Sequence, residues 1–272
     1  MVRVSNALIG TLNVLSAVFS LFAVGFSLYL HIHGGSTCYQ FMETPLLITG
    51  VVLLAVSIMG LIGSCGKINF FMYIYLTVLF ICIVGLIGCT VFAFIVTNAG
   101  AGKVVSGRGF KEYRLGDYSN WLQNHVVKGK RWERIRTCLA ESEACSSLAS
   151  QGSLTLALFN KKNLSPIESG CCKPPVECGF TFKNSTYWTI PKSGPAVADS
   201  DCNTWSNQQN ALCFNCNSCK AGFLGNIKKQ WKNLLIFNIC LILFVIIVYS
   251  IGCCASRNNR SRRKYGRYGG IA

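Results

Sequence analysis

The six residues Gly170-Cys171-Cys172-Lys173-Pro174-Pro175 lie in the middle of the only long polar stretch of this chain. Neighbouring cysteines rarely bond each other, because disulfide geometry strains the tight ring that would result. Cys171 and Cys172 are therefore each expected to bond a different, distant cysteine. The pair then forms a covalent branch point in a polar region that is flanked by sequence apolar enough to lie in lipid.

The charged residues of this chain are missing in blocks. Of its 272 residues 51% are hydrophobic and 13% are charged, whereas a soluble protein carries about 25% charged residues. Four segments contain no Asp, Glu, Lys or Arg, and these are 7–30, 45–64, 70–96 and 234–254. At a rise of about 1.5 Å per residue, each can cross a hydrocarbon core of about 30 Å as a helix that satisfies its own backbone hydrogen bonds. The sequence therefore predicts four transmembrane helices, the first of them too long for the core of a signal peptide.

The basic residues predict that both termini face the cytosol. Arg3, Lys67 and a basic cluster that begins at Arg257 fall on one side of the predicted spans, and the loop between spans one and two contains neither Lys nor Arg. Short cytosolic loops are enriched in Lys and Arg, whereas long loops cross regardless of charge. The predicted segments outside the spans are a cytosolic N-terminus (1–6), a small extracellular loop (31–44), a cytosolic linker (65–69), a large extracellular loop (97–233) and a cytosolic C-terminal tail (255–272).

The cysteines of the large loop indicate a disulfide framework. Nine of the sixteen cysteines lie there, a density typical of an oxidising compartment. The thiols of Cys213, Cys216 and Cys219 have a spacing that could ligate a metal, but an oxidising compartment favours disulfides. The pairing stays open, and a ninth thiol could pair with Cys38, remain free or bond another molecule. The disulfide candidates are Cys38, Cys138, Cys145, Cys171, Cys172, Cys178, Cys202, Cys213, Cys216 and Cys219.

Two kinds of covalent modification are predicted from short patterns. Asn184, followed by Ser185 and Thr186, is an N-glycosylation acceptor, and Asn163 begins a second such pattern that Pro166 follows. Three further cysteines lie at the cytosolic boundary of the membrane, where reduced thiols are candidates for palmitoylation. These palmitoylation candidates are Cys65, Cys253 and Cys254.

Polar and small residues inside the spans are candidates for contacts between helices. Asn13 and Asn238 are the most polar residues there, and each is expected to donate a hydrogen bond between helices, worth about 0.6–2 kcal/mol. Small residues recur at helical spacing and allow helix backbones to approach closely, although membrane helices are rich in glycine in any case. These small residues are Gly10, Ala17 and Ser20 in span one, Gly50, Ser57, Gly60 and Ser64 in span two, and Gly85, Cys89 and Ala93 in span three.

The large loop is predicted to be partly helical. Residues 110–149 are rich in helix formers, and Leu122, Trp132, Ile135 and Leu139 recur at intervals that fit one helical face, which predicts two helices interrupted at Gly129. Residues 166–219 are rich in Gly, Pro, Asn and Ser, and should be loop-rich and held by disulfides. Residues 223–232 are predicted to form a helix that leads into span four. The predicted fold class is an all-α membrane protein with four transmembrane helices and a disulfide-stabilised large loop.

This arrangement of spans and loops resembles the tetraspanin family over nearly the whole chain. The Gly-Cys-Cys-Lys-Pro sequence at 170–174 resembles the signature of the plant branch, whereas animal members carry Cys-Cys-Gly. Further matching stretches are Gly-Leu-Ile-Gly-Ser-Cys at 60–65, Phe-Lys-Glu-Tyr-Arg-Leu-Gly-Asp-Tyr at 110–118 and Cys-Phe-Asn-Cys-Asn-Ser-Cys-Lys-Ala-Gly at 213–222. Animal members have acidic or amide residues in spans three and four, whereas here span three has none and span four has only Asn238.

The predicted function is that of a membrane organiser without enzymatic activity. The histidines His31, His33 and His125 lie in no recognisable catalytic or metal motif, so neither a cofactor nor a metal is expected. The resemblance implies plasma-membrane microdomains, endosomes or extracellular vesicles, and roles in cell differentiation, development or intercellular communication. The expected partners are membrane lipids, other tetraspanins, membrane receptors and adhesion proteins, and not nucleic acid.

Two other classes of four-span protein are weighed against this function. A small channel or transporter is the alternative, but such proteins usually place ionisable residues within their spans, and these four segments contain none. A junction-forming protein of the claudin type carries its large cysteine-bearing loop between spans one and two, where this chain has a minute loop.

Overall fold

The computed structural model describes residues 2–33, 37–66, 69–98, 112–150 and 155–268. Lys67 and the first two residues of the 110–118 motif lie outside these described residues. The side chains of Arg3 and of the basic residues beyond Arg257 are also not described.

The described residues form ten α-helices and one β-hairpin. The helices are α1 (Val2–His33), α2 (Thr37–Cys65), α3 (Asn69–Asn98), α4 (Asn120–His125), α5 (Lys130–Glu141), α6 (Ser146–Ala149), α7 (Leu156–Lys161), α8 (Pro166–Cys171), α9 (Ser200–Thr204) and α10 (Asn217–Tyr268), with short 3-10 helices at Leu115–Asp117 and Val176–Cys178. Helices α1, α2, α3 and α10 are long and apolar enough to cross a membrane. The predicted all-α, four-span class is therefore confirmed.

The first of two compact units contains most of α1, α2 and α3 together with α10 from Leu235 onwards. Glycines allow two of these helices to approach closely: a Cβ at Gly60 would overlap the amide of Asn13, and one at Gly50 would lie 2.9 Å from a methyl group of Val24. In contrast, the described residues leave open space around a Cβ at Gly85. The predicted small-residue contacts thus form between α1 and α2 but not at that position of α3.

The second compact unit comprises residues 36–38 and 92–234 and has a core of its own. Cysteines form its centre together with Leu148, Phe159, Leu212 and Leu224, which are at most 1% exposed. Helices α4 and α5 occupy part of the region in which two helices were predicted, and their inward residues Leu122, Trp132 and Leu139 are buried in the same core. Gly129 lies between the two helices with a φ of 61°, a left-handed conformation that glycine adopts without strain.

A β-hairpin in the second unit was not predicted from the sequence, and neither were the short helices α7, α8 and α9. Strands β1 (Thr181–Asn184) and β2 (Tyr187–Thr189) pair antiparallel, with Phe182 opposite Trp188. The side chain of Asn207 accepts from the Trp188 N–H and donates to the Trp188 carbonyl, both at 3.0 Å. Asn207 thereby occupies the outer edge of β2 as a third strand would.

Candidate functional site

The ten predicted disulfide cysteines are all paired, and all of them lie in the second unit. Cys171 bonds Cys219 and Cys172 bonds Cys145, so the neighbouring pair branches to two distant partners as its geometry predicted. Both of these cysteines are completely buried. The disulfides are Cys38–Cys138, Cys145–Cys172, Cys171–Cys219, Cys178–Cys202 and Cys213–Cys216.

The closely spaced cysteines at the start of α10 form disulfides. Cys213 bonds Cys216 across two intervening residues, and Cys219 is used by Cys171. Among the described residues no group of three His, Cys, Asp or Glu side chains could hold a metal ion. The chemistry of this region is therefore structural: covalent bonds fix the start of α10 against α8.

Gly170 allows α8 to lie directly against the first turn of α10. A Cβ at this position would lie 2.4 Å from the carbonyl oxygen of Ser218, and one at Gly222 would lie 2.3 Å from that of Pro166. The Ser218 hydroxyl uses this proximity to donate to the Gly170 carbonyl at 3.1 Å. The glycine of the Gly-Cys-Cys-Lys-Pro sequence is therefore required by a backbone contact that no other residue would permit without a shift.

Lys173 forms a buried ion pair with Glu112, which belongs to the stretch at 110–118. Its side chain is 1% exposed, and Nζ lies 3.2 Å from Oε1 of Glu112. The same oxygen accepts from the Val176 N–H at 3.0 Å. A buried charge is tolerated only when it is paired and hydrogen-bonded. The ion pair thus joins two of the sequence stretches that carry the family resemblance.

Asp201 caps the first turn of α10 from another part of the loop. Its two carboxylate oxygens accept from the Asn217 and Ser218 N–H groups, each at 2.7 Å, and its side chain is buried. The unpaired amides and the positive end of the helix dipole both favour a carboxylate there. Asp199 in turn accepts from the Asp201 N–H at 2.7 Å and caps α9.

A capping box begins α8 just before the paired cysteines. The Ser165 hydroxyl accepts from the Glu168 N–H, and the Glu168 carboxylate accepts from the Ser165 N–H at 2.9 Å and from the Ser147 hydroxyl at 2.9 Å. Burial raises the pKa of Glu168, but the hydrogen bonds from Ser165 and Ser147 and the charge of Lys162 outweigh it, so the pKa lies below its ordinary value. Glu168 therefore stabilises the folded loop in its ionised form.

Two tyrosines of the 110–118 stretch pack against a glycine of α10. A Cβ at Gly225 would lie 2.8 Å from a ring carbon of Tyr113 and 2.9 Å from the hydroxyl oxygen of Tyr118. Burial raises the pKa of Tyr113, while burial and then the nearby Tyr113 and Asp117 raise the pKa of Tyr118. Both hydroxyls are protonated at neutral pH, as at the ordinary pKa of about 10, and the raised pKa values reflect the burial of the two side chains.

Several large apolar side chains are exposed on this covalently fixed frame. In α7, Leu156 and Leu158 are 46% and 57% exposed, whereas Phe159 is fully buried against the rings of Phe182 and Trp188 in the hairpin. Further large apolar side chains are exposed elsewhere in the same unit: Tyr187, Ile190 and Val197. Exposed apolar side chains of this kind are available for contact with another protein.

The predicted modification sites differ in how far they are exposed to solvent. Asn163 is exposed just before α8, whereas Asn184 is half-buried in β1 and accepts from the Thr186 N–H at 3.0 Å. Cys65 and Cys254 are exposed free thiols, and Cys253 is a half-buried one. Whether these residues are glycosylated or acylated stays a prediction.

The two polar residues predicted inside the spans hydrogen-bond to other helices. Asn13 is buried, and its Nδ2 donates to the Tyr75 hydroxyl on α3 at 3.4 Å and to the Ile9 carbonyl at 2.8 Å. The Nδ2 atom of Asn238 on α10 donates to the Thr90 hydroxyl on α3. These bonds join α3 to helices at both ends of the sequence.

Sequence reasoning missed the polar residues that organise the loop. Lys173 was used only as part of a signature, and Glu112, Asp201 and Asn207 were not singled out. A charged residue next to two buried cysteines is a signal that could have identified Lys173, because a lysine there must find an acid. Nothing local marks Asn207, whose partner lies 19 residues away.

The fold and the loop define a four-span membrane protein whose cysteine-rich domain lies between the third and fourth spans. The model of the Tetraspanin family matches residues 5–255. The chain belongs to the tetraspanin family. It is 54% identical to Tetraspanin-11 of Arabidopsis thaliana over 97% of this chain and 98% of that protein. It is also 46% identical to Tetraspanin-8, over 98% of both chains, and 42% identical to Protein TORNADO 2, over 97% of both, from the same organism.

These relatives agree with the resemblance to the plant branch that the sequence indicated. No solved structure gives a significant match to this chain.

Proposed function

We propose that this protein is a membrane organiser that assembles partner proteins into plasma-membrane microdomains through its large loop. The observation that carries the proposal is the exposure of two leucines of α7, Leu156 and Leu158, on a frame fixed by disulfides. Because Phe159 anchors α7 to the hairpin, a partner meets these leucines already in position. Binding then costs little ordering of the loop, which favours recognition.

The partners proposed are other membrane proteins: receptors, adhesion proteins and further tetraspanins. We place the protein in the plasma membrane with both termini in the cytosol, and also in endosomes and extracellular vesicles. Family membership and four apolar helices support a multi-pass membrane protein. A role in cell differentiation, development or intercellular communication is part of the same proposal and follows the family resemblance.

Covalent modification completes the proposal. Glycans on Asn163 and Asn184 would cover part of the loop, and acylation of Cys65, Cys253 and Cys254 would promote lateral association. The exposure of Asn163, Cys65 and Cys254 supports access by the modifying enzymes.

Crosslinking at the cell surface, followed by mass spectrometry, tests the proposal on the full-length protein. The double variant Leu156→Ser/Leu158→Ser should lose most crosslinked membrane partners while its loop stays protease-resistant. Lys183→Ala, an exposed polar change in β1, is the matched control and should keep them. An unchanged partner set in the leucine variant, together with specific flux through the protein in liposomes, would favour a channel or transporter instead.

A further inference from the structure

One tryptophan of the large loop contacts the last turns of a membrane-spanning helix. The rings of Trp121 in α4 and Phe92 in α3 meet edge to face, with their centroids 5.1 Å apart at 85°. One turn further along α3, Val96 packs against the buried core of the second unit. Trp121 nevertheless remains 42% exposed and Phe92 48% exposed. The contact therefore fixes the position of Trp121 along α3 without burying either ring.

The position of Phe92 along α3 gives the depth of Trp121 relative to the bilayer. Span three runs from Phe70 to Thr97, a length of 28 residues, or about 42 Å of helix at about 1.5 Å per residue. A hydrocarbon core of about 30 Å, centred on this span, leaves about 6 Å of helix beyond it at each end. Phe92 lies five residues before Thr97, or about 7.5 Å from the end of the span. Phe92 and its neighbour Trp121 therefore lie at the boundary between headgroups and acyl chains.

We propose that α4 places Trp121 in the lipid interface on the side of the large loop, so that the loop domain binds the membrane surface directly. Tryptophan is enriched at this depth because its ring is apolar and its indole N–H is polar. The ring of His125 stacks on Trp121 at 4.7 Å and 11°. The exposed residues Lys128, Lys130 and Arg131 follow along the chain, and long basic side chains at an interface reach the phosphate groups. This lipid contact is separate from the α7 surface proposed to bind proteins.

The other tryptophans make the assignment testable, because most of them cannot contact lipid. Trp132, Trp188 and Trp205 are at most 7% exposed, whereas Trp231 is 41% exposed. Trp231 lies in α10, three residues before the predicted start of span four at Leu234. Only Trp121 and Trp231 among the five tryptophans are therefore available to a quencher carried by lipid.

Quenching of tryptophan fluorescence by brominated lipid tests the proposal. The full-length protein is placed in phosphatidylcholine nanodiscs whose lipids are brominated either near the headgroup or near the chain end. Trp121→Phe should remove about half of the emission that headgroup-proximal bromine quenches, because two exposed indoles share it. Trp231→Phe is the matched control and should remove the remainder, and an unchanged disulfide map shows that both variants are folded.

Three results would overturn the lipid contact. In the first, the Trp121 emission, taken as the difference between wild type and Trp121→Phe, is quenched by aqueous iodide but not by brominated lipid. This result places the ring in water. In the second, neither quencher reaches it, which places the ring under protein, from a partner or a second copy. In the third, bromine near the chain end quenches it more strongly than bromine near the headgroup, which places the ring below the interface. None of these readouts depends on whether the loop assembles partners.

Discussion

The two compact units of this protein are stabilised in different ways. In the first unit the helices expose most of their large apolar side chains, and only 11% of the most apolar window of span three is buried. In the second unit the cysteines and aromatic rings form a closed core. Lipid tails are as apolar as leucine, so apolar area gives helices no reason to associate in a membrane. The second unit combines this core with five disulfides, which stabilise it by restricting the unfolded chain.

Removing the longest-range cysteine bond of the branch point should have the largest effect. Cys171→Ser/Cys219→Ser opens a loop of 48 residues, and chain entropy predicts a loss of about 4 kcal/mol of loop stability. Cys213→Ser/Cys216→Ser opens a loop of 3 residues and should cost less than about 2 kcal/mol. Limited proteolysis without reductant measures both.

Cys240→Ser removes a free thiol of span four and is the control that should change nothing in the loop. Equal protease sensitivity of the two disulfide variants would mean that loop length does not set the stability of the second unit.

Breaking the buried ion pair should have the next largest effect. Glu112→Gln leaves Lys173 charged and buried without its acid, at a cost of about 3 kcal/mol, near the low end of the usual range because the Glu112 side chain is 25% exposed. Lys173→Met in the same chain should recover part of the loss, because the unpaired charge is gone. Urea unfolding, monitored by the fluorescence of the loop tryptophans, measures the stability of the single and the double variant. If the double variant is no more stable than Glu112→Gln, the unpaired charge is not the cause of the loss.

The capping box at α8 predicts a smaller and pH-dependent effect. Glu168→Gln should cost about 1 kcal/mol at neutral pH. Because the pKa of Glu168 is lower in the folded protein, its contribution is complete above the unfolded pKa of about 4.3 and is lost as the pH falls through the folded value. The difference between wild type and variant should therefore shrink below about pH 4. Hydrogen exchange at the Ser165 and Glu168 amides, measured across this range, checks the sign, and a difference that grows in acid would refute it.

A hydrogen bond between spans should give the smallest effect. Asn238→Val removes the donor to Thr90, and single bonds of this kind are worth about 0.6–1.7 kcal/mol. The measurement is the resistance of the spans to unfolding in detergent. Thr90→Val and the double variant complete a double-mutant cycle, which isolates the energy of the hydrogen bond. Loop protease resistance should not change. A larger loss than that of Glu112→Gln would mean that the first unit depends on polar bonds more than the second.

The difference between the units also explains what the sequence could predict. Blocks without charge identify the spans because the bilayer imposes a length and an apolar composition on every segment that crosses it. The adjacent cysteines Cys171 and Cys172 predicted a branch point because bond geometry is local. Their partners Cys219 and Cys145 could not be read from spacing, because any of the remaining cysteines could satisfy the same geometry.

The hairpin and the role of Asn207 could be recognised only from the three-dimensional fold. Strand β2 has three residues and is stabilised by Phe159 and Asn207 from distant parts of the chain, so no local periodicity marks it. The start of α10 shows the same limitation. Its cap is Asp201 from another helix, and the predicted start at residue 223 was therefore late by the first turn and a half, since the helix begins at Asn217.

The Cys38–Cys138 bond turns residues 38–138 into a closed ring that includes all of span two and span three. A single cut of the chain within that ring would open the ring without separating the two pieces. The nicked protein would migrate as one species without reductant and as two fragments with it. Both pieces would stay in the same membrane, attached to one another by one covalent bond between two sulfur atoms.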